Sequence, residues 1–458
     1  MIRKTSLMLL KTSVLTIGLT TAQLALSATN AISLAQVTKD VTYLASDNLK
    51  GRSNFSSEIT QAADYIAKRF AESGLVGAKN ISTQGFLQKY SVTNISPKTL
   101  TVTINGNVID GKNLAMASTE TNFSWHIANG ENNSRVNIHQ IGKNDDMRAA
   151  ISSLNKQGGK HLVLLSPSHK AMFKRYQHYF AQGVTKLAQK NKKVDKGGVI
   201  VIALTEITVD RAKKLEVSGT NNIKTSGLTN VVAVLPGKTK PDEVVLYSAH
   251  YDHLGVKGTD EDNIYNGADD DASGTTAIIN IAQYYAKQGN NARTLMFAAF
   301  SAEEIGGFGS KYFSQQLDPK KIVAMINIEM IGKPSKFGAG SVWMTGMERS
   351  NLGEQLNLVL AKSNKQIHQD PYPEQELFYR SDNATLARLG VPAHSFSSTQ
   401  LDKDKHYHKA SDDIASLDLS SMHSVIQALA LATQPLVDGS VTPSRIDVNK
   451  VKSKGLIY

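Results

Sequence analysis

Acidic residues and a histidine follow three short apolar runs in the second half of the chain. The run EVVLYS leads into His250 and Asp252. The run TLMFAAF leads into Glu303 and Glu304, and the run KIVAMINI ends at Glu329. Imidazole and carboxylate groups are ligands of divalent metals, and a carboxylate two residues after a histidine can hold the second ring nitrogen. None of these motifs is specific when taken alone.

An acidic run and a late histidine pair extend this set of candidate ligands. NGADDDASG, residues 266–274, places three adjacent aspartates at the start of a predicted helix. Carboxylates in this position can stabilise a helix N-terminus or bridge two metals, and the run itself leaves both interpretations open. The sequence HYH, residues 406–408, lies in a loop before the last predicted helix.

The types of ligand in this set limit which metal the site could bind. The chain has no cysteine, which excludes disulfides, thiolate ligands and cysteine nucleophiles. Nitrogen and oxygen donors suit zinc, and also cobalt or manganese. Because the donors outnumber those that one tetrahedral zinc needs, they fit two metals about 3.5–4 Å apart that share a carboxylate.

The elements that must position these residues form a strand–loop–helix pattern from residue 228 onward. The strands are short and continuously apolar, which is typical of a sheet covered on both faces. The sequence predicts the α/β class, with a mixed, mostly parallel central sheet, helices on both faces and a smaller inserted β-rich domain. Ligands in such folds gather beyond the carboxyl ends of the strands. Nearer the N-terminus, LASDNLKGR (44–52) predicts a surface turn before an amphipathic helix that ends at Gly74.

Changes of composition divide the chain into five predicted segments. A basic start, an apolar stretch and small residues near residue 28 predict a signal peptide over 1–28. Residues 29–92 are predicted to belong to the main domain, which resumes over 228–437. Residues 93–227 are predicted to be the insert, with one helix over 171–190, and residues 438–458 a polar tail.

The net charge and the hydropathy limit the partners that we expect for this protein. The formal net charge is +11, but the lysines are scattered and not interleaved with aromatic residues, so we expect no nucleic-acid partner. No run after the predicted signal peptide reaches the ~18 apolar residues of a membrane span. We therefore expect a secreted or periplasmic protein without a membrane anchor. The oligomeric state does not follow from the sequence.

The motifs together resemble a known family. In order, SAHYDHLG, NGADDDASG, FSAEEIGGFGS, NIEMIG and HYH resemble the secreted bacterial leucyl aminopeptidase family of two-zinc peptidases. That family also contains glutamate carboxypeptidases, plasma carboxypeptidases and glutaminyl cyclases. The resemblance covers about residues 228–436, and the middle of the chain resembles the protease-associated insert of many members.

The resemblance implies two zinc ions and a role for each matching residue. It implies that His250 is a ligand of one zinc and that Asp252 supports this histidine. The middle aspartate of the acidic run, Asp270, would bridge the two ions. Glu304 and His408 would be ligands of the second zinc.

Further roles are implied for the residues around the ions. Glu303 matches the general base that acts on a water shared by the two zincs. Glu329 matches a ligand position at which many members carry aspartate. Tyr407 matches a tyrosine that hydrogen-bonds the scissile carbonyl in some members, and residues 381–382 match a segment that lines the pocket.

The resulting function is that of a metallo-aminopeptidase acting on peptide substrates, and a hydrophobic first residue is the preference that the family favours. A carboxypeptidase or dipeptidase of the same family is the alternative, with Arg380 as the group that would bind a free carboxylate. A catalytically inactive binding protein on the same scaffold is a second alternative. Glutaminyl cyclases work with one zinc, whereas both sets of ligands are present here.

Overall fold

The chain forms two compact units. The first comprises Met1–Lys89 and Thr229–Lys450, and the second comprises Tyr90–Leu228 and Val451–Tyr458. The computed structural model describes residues 32–128, 131–132, 134–188, 197–363 and 365–458. The predicted signal peptide, 1–28, lies outside the described residues.

Apolar parallel strands form the centre of the sheet in the first unit. Four of them lie side by side in the order Ala393–Ser397, Ile322–Ile328, Lys240–His250 and Arg293–Phe300. All residues of the second and fourth of these strands are buried, as in a sheet covered on both faces. The remaining strands extend the two edges: Val342–Met344 and Ile367–Gln369 at one, Lys214–Leu235 and Val76–Gly77 at the other.

Helices cover both faces of this sheet. Tyr247, Ile326 and Phe396 point into the large apolar core of the unit. The alternate residue Ser395 points to the opposite face, where its hydroxyl donates to Asn383 at the start of a short helix. The helices of the unit are Leu34–Leu44, Ser57–Glu72, Gly274–Gln288, Phe308–Ser314, Leu352–Leu360, Asn383–Ala387, Leu419–Ala432 and Gln434–Val437. The predicted α/β class is confirmed.

No described helix is both long and apolar enough to cross a membrane.

The amphipathic helix near the N-terminus follows its sequence signals. Ser56 caps the helix Ser57–Glu72 by accepting a hydrogen bond from the backbone N–H of Ile59. The helix stops just before Gly74, whose φ of 78° is readily adopted by glycine. The predicted helix and its end are confirmed.

The prediction of a surface turn over LASDNLKGR is wrong. Residues Leu49, Gly51 and Arg52 of this segment are buried. Gly51 has a φ of 66°, and a Cβ atom there would lie 2.2 Å from the carbonyl oxygen of Tyr265. The segment therefore packs against the loop that contains Tyr265, and only glycine fits at this approach.

The described residues of the second unit form a separate sheet and two helices. Its four-stranded sheet has the order Leu114–Ser118, Gly198–Leu204, Gly159–Leu165 and Asn137–Ile141. The further strands of the unit are Asn107–Val108, Asn122–Ala128 and Val184–Leu187, together with parts of Leu87–Ile104 and Lys214–Leu235. The helices are Met147–Gln157 and Lys170–Ala181, so the single predicted helix over 171–190 is too long and the other helix was missed.

The predicted tail, 438–458, is divided between the two units. Residues up to Lys450 belong to the first unit, and Val451–Tyr458 belongs to the second. In the second unit the side chain of Asn155 accepts hydrogen bonds from the backbone N–H groups of Ile457 and Tyr458. Ile457 is fully buried there.

Candidate active site

The carboxyl ends of three parallel strands bring the predicted residues of the first unit together. His250 is the last residue of its strand and lies opposite Phe300, three residues before Glu303. Ser248 pairs with Asn327 on the other side. Since His250 and Glu329 each lie two residues further on, they reach the same edge of the sheet.

Two residues in left-handed backbone conformation flank the glutamates. Ala302, directly before Glu303, has a φ of 61°, and Met330, directly after Glu329, has a φ of 54°. Such conformations cost about 1–3 kcal/mol for non-glycine residues and persist where the surroundings fix them, often at active sites. These turns direct the chain away from the strands at the point where the acidic side chains begin.

Only the middle aspartate of the acidic run faces the candidate ligands. Asp269 accepts hydrogen bonds from the backbone N–H of Gly332 and the hydroxyl of Thr399. Asp271 accepts from the backbone N–H groups of His250, Gly274 and Met330, and so ties three loops together. The flanking aspartates therefore hold the backbone of the fold, and Asp270, itself buried, is the one whose carboxylate faces the candidate ligands.

Asp270 lies between two histidines. Its Oδ1 atom is 3.1 Å from Nε2 of His250, and its Oδ2 atom is 3.3 Å from Nε2 of His408. Nε2 of His408 is also 3.4 Å from Oε2 of Glu304. Each oxygen of one carboxylate thus faces a different histidine, which is the arrangement of a carboxylate that could bridge two cations.

Asp252 supports the site differently from the prediction. Nδ1 of His250 lies 3.1 Å from the backbone carbonyl oxygen of Asp252 and 3.8 Å from its carboxylate. The carboxylate instead accepts hydrogen bonds from the backbone N–H groups of Glu303 and Glu304. The backbone of Asp252 thus orients the histidine, while its side chain fixes the start of the glutamate loop.

Tyr407 and Ser381 line a cavity beside these ligands, whereas Asp382, the other residue of the predicted pocket segment, does not. The cavity contains about 620 Å³ of empty space, including the open solvent at its mouth. The ring of Tyr407 stacks on His408 with centroids 4.0 Å apart, and its hydroxyl lies 3.4 Å from Nη2 of Arg380. The Ser381 hydroxyl accepts a hydrogen bond from Asn327. The apolar part of the wall consists of Met330, Trp343, Leu377 and Leu401.

The acidic side chains perturb one another. Burial raises the pKa of Glu303 well above its usual value, and Glu329 adds to the rise while His250 opposes it. Burial also raises the pKa of Glu329 to about 7, against the effect of His250. Asp270 behaves in the opposite way: burial would raise its pKa, but His250 and His408 hold it well below the usual range. Crowded carboxylates with raised pKa values indicate a site that positive charge would stabilise.

Arg52 and Asn54 belong to the site but were missed from the sequence. The buried guanidinium of Arg52 donates to the backbone carbonyls of Tyr251, Asn266 and Gly267, which flank the His250 and Asp270 loops. The amide of Asn54 donates to the carboxylate of Asp252 at 2.6 Å, and its oxygen accepts from the backbone N–H of Ala302. The glycine–arginine pair of LASDNLKGR was the only available signal, and it reads as an exposed turn.

A buried ion cluster lies behind the acidic run. The carboxylate of Asp412 accepts hydrogen bonds from the backbone N–H groups of Asp269 and Asp270. Nζ of Lys333 lies 3.4 Å from carboxylate oxygens of Asp269 and Asp412, and 3.1 Å from Asp404. One ammonium group therefore lies within reach of three carboxylates, and Asp412 holds the backbone that carries Asp270. The sequence prediction did not include this cluster.

Several of the buried polar atoms that lack hydrogen-bond partners lie in this site. Among the described residues, buried atoms without a hydrogen bond include Nε2 of His250, both ring nitrogens of His253 and Oε1 of Glu304. Buried polar groups without partners are rare, and each needs an explanation such as an ion. His253, Asp270 and Glu304 each offer a ligand atom within 4.8 Å of the others. These donors fit divalent metal ions, and zinc in particular.

Known proteins are similar to the segment that carries these residues. Residues 230–433 match the model of peptidase family M28. A probable zinc metalloprotease from Pyrenophora teres is 34% identical over 130 residues, which are 28% of this chain and 28% of that protein. Leucine aminopeptidase 1 from Ajellomyces dermatitidis is 29% identical over 213 residues, 43% of this chain and 53% of that protein. The chain thus spans about half or less of the length of these relatives, whose fungal origin leaves the bacterial part of the predicted resemblance a prediction.

Solved structures share the fold. An aminopeptidase from Aneurinibacillus sp. strain AM-1 matches with a TM-score of 0.51 and 17% identity, over 92% of this chain and 97% of that one. A zinc aminopeptidase from Bacillus subtilis matches with a TM-score of 0.52 and 16% identity, over 93% and 98% of the two chains. At such identities the likeness concerns the fold. The segment that carries the candidate site is therefore similar in sequence to peptidase family M28, on a fold that aminopeptidases share.

Proposed function

We propose that this protein is a zinc-dependent aminopeptidase that uses two metal ions to hydrolyse the N-terminal bond of peptides. The observation that carries the proposal is the position of Asp270, whose two oxygens face His250 and His408 separately. A carboxylate that served a single ion or a salt bridge would not need a histidine at each oxygen. The names of the relatives, a zinc metalloprotease and a leucine aminopeptidase, support this assignment.

The ligands divide into two halves. The inner half consists of His250, Glu329 and the Oδ1 atom of Asp270. The outer half consists of Glu304, His408 and the Oδ2 atom of Asp270. When bound, the two ions would polarise the scissile carbonyl and make a water molecule more acidic.

Glu303 is the group that would move the proton. It lies on the wall of the cavity that Asp270 and Glu304 also line. Its raised pKa suits a carboxylate that takes a proton from water and returns it to the leaving amine. The hydrogen bond from its backbone N–H to Asp252 holds the start of its loop in place.

Tyr407 and the apolar wall would orient the peptide. Burial raises the pKa of Tyr407, so its hydroxyl stays protonated at neutral pH and can donate to the carbonyl oxygen on which charge develops. Trp343 and Met330 form part of a wall that fits an apolar first side chain. The substrate class is therefore peptides with a free amino terminus and a hydrophobic first residue.

A carboxypeptidase or dipeptidase is the second candidate, because Arg380 lines the same cavity. Its guanidinium would bind a free substrate carboxylate. Arg380 is largely exposed to solvent and lies within reach of the Tyr407 hydroxyl. The apolar wall and the leucine aminopeptidase relative favour the aminopeptidase.

The test compares Glu303→Gln with the wild-type protein on a leucine anilide, its N-acetylated form and an N-blocked dipeptide with a free carboxylate. We expect the wild type to cleave only the free-amine substrate and to stop when a zinc chelator is added. Loss of a general base typically lowers turnover by about 10²–10⁴-fold, and the bound metal should remain.

A matched control is Glu348→Gln, since Glu348 is an exposed glutamate paired with Arg349 outside the cavity. It should behave as wild type. Full activity of Glu303→Gln would contradict the assigned base, and cleavage of only the N-blocked dipeptide would establish the carboxypeptidase.

A further inference from the structure

His253 is a buried histidine to which the proposed function assigns no role. Its side chain is fully buried, and its backbone N–H donates to the carbonyl of Arg52. Its Nδ1 atom lies 2.7 Å from Oε1 of Glu304 and 4.0 Å from Oδ2 of Asp270. The ring meets that of His408 edge-on, with centroids 5.9 Å apart. The histidine therefore borders every ligand of the outer half.

The short contact between His253 and Glu304 is not aligned as a well-formed hydrogen bond. Although Nδ1 of His253 and Oε1 of Glu304 are 2.7 Å apart, neither atom has a hydrogen-bonding partner of acceptable angle among the described residues. Two potential ligand atoms that lie close together without a well-aligned hydrogen bond between them can both coordinate one cation.

Leaving these atoms unpaired would destabilise the fold. A buried polar group that lacks a partner costs about 1–3 kcal/mol, and more when it is charged. His253 has two such nitrogens and Glu304 has one such oxygen. A cation coordinated by both residues would remove the penalty for Nδ1 and for Oε1 together.

We propose that His253 is an additional ligand of the metal in the outer half, an inference that rests on the proposed function. The metal would then be held by Glu304, Asp270, His408 and His253. A neutral imidazole increases affinity without adding charge. It also supplies this half with a fully buried histidine, whereas the side chain of His408 is 39% exposed.

Two substitutions separate coordination from mere orientation of Glu304. His253→Ala removes the ring and any interaction with Glu304. His253→Asn places an amide near the position of Nδ1, so it can still donate a hydrogen bond to Glu304 but is a poor zinc ligand. His368→Gln, outside the cavity, is the control for loss of a histidine.

The measurement is titration of the metal-free full chain with Zn²⁺ against a chromophoric chelator, followed by Co²⁺, whose visible spectrum reports coordination. We expect wild type and His368→Gln to bind two ions. Both His253 variants should bind one ion with the affinity of the wild type and the other ion at least about ten-fold more weakly. Ten-fold is the lower end of the loss seen when even a hydrogen-bond partner of a metal ligand is removed. Their Co²⁺ spectra should change at the weaker site, while circular dichroism stays that of the wild type.

Each alternative result has a distinct meaning. Unchanged affinity and spectrum in both variants would overturn the coordination by His253. Wild-type metal affinity in His253→Asn together with weakened affinity in His253→Ala would overturn it too. That result would mean that His253 orients Glu304 through a hydrogen bond. A wild-type chain that binds fewer than two ions would overturn the proposed two-metal function itself, and this inference with it.

Discussion

The inner and outer halves of the candidate metal centre are built on different supports. The inner histidine, His250, is 1% exposed and ends a central parallel strand. The outer histidine, His408, is 39% exposed and lies in a loop with a φ of 56°. Ligands on strands inherit the register of the sheet, whereas ligands on loops depend on local contacts. The comparison indicates that the sheet fixes the inner half of the candidate site and that the outer half depends on surrounding contacts.

Buried residues around the outer half hold its ligands in place through hydrogen bonds to their backbone. Asp412 accepts a hydrogen bond from the backbone N–H of Asp270, and Nζ of Lys333 lies 3.4 Å from the Asp412 carboxylate. The Asp252 carboxylate accepts the backbone N–H of Glu304. His253 adds a buried ring next to the exposed one. Two of the three outer ligands are therefore fixed through their backbone, and His408 is the least constrained.

Replacement of each histidine in turn tests this comparison and should give the largest difference. We expect His250→Ala to lose the inner metal entirely, because its Nε2 is fully buried and no other histidine lies beside Asp270 Oδ1 in the described part of the chain. We expect His408→Ala to weaken the outer metal without abolishing binding, because Glu304, Asp270 and His253 remain. Chelator competition on the two variants gives both affinities.

The same pair of variants can contradict the comparison. Equal loss of one metal in both proteins would mean that exposure and the second histidine do not matter. A greater loss of metal affinity in His408→Ala than in His250→Ala would mean that the outer half holds its metal more tightly than the inner half. His423→Ala, which removes a histidine bonded to the carbonyl of Ile32, controls for general effects on stability.

The residues of the centre that could be predicted from the sequence are those that follow apolar strands. His250, Glu303 and Glu329 each come at or just after the buried end of a strand, and parallel strands bring such positions to one edge. Asp270 and His408 are different, because their roles were implied by the resemblance of the acidic run and of HYH to the family. Their positions in the structure agree with that implication, while the assigned roles stay predictions.

The residues that could not be predicted act through contacts that no local pattern encodes. Asn54 reaches Asp252 from 198 residues away along the chain. Arg52 is an arginine that hydrogen-bonds only backbone carbonyls, so its partners have no side-chain signature. His253 was present in the motif SAHYDHLG, but a histidine followed by an aspartate already accounted for the expected chemistry. Contacts between residues far apart along the chain fix these positions, and no local sequence pattern indicates which residues will meet.

Asn54→Ala should have an intermediate effect that falls on the glutamate loop and leaves the inner histidine in place. The Asn54 side chain links the Asp252 carboxylate to the backbone of Ala302. Loss of such a supporting partner typically costs about 10–100-fold in metal affinity or activity. We expect this loss for the outer metal and for turnover, measured by chelator competition and by kcat on the leucine anilide.

The neighbouring variant Ser53→Ala is the control, because the Ser53 hydroxyl makes only a long 3.5 Å contact with the carbonyl of Asn54. It should leave both quantities unchanged. If Asn54→Ala weakened the inner metal more than the outer one, the division of the centre into a sheet-fixed half and a braced half would be wrong.

Arg380→Ala should have the smallest effect, at the open side of the outer half. The guanidinium is exposed and only approaches the Tyr407 hydroxyl, at 3.4 Å. Exposed charged contacts contribute about 0–1 kcal/mol, so kcat/KM on the leucine anilide should fall by no more than about five-fold. Arg211→Ala, an exposed arginine of the second unit, is the matched control. A much larger loss, seen only with substrates that have a free carboxylate, would show that the open side binds a C-terminus, and the exposed outer half would then be the recognition element of a carboxypeptidase.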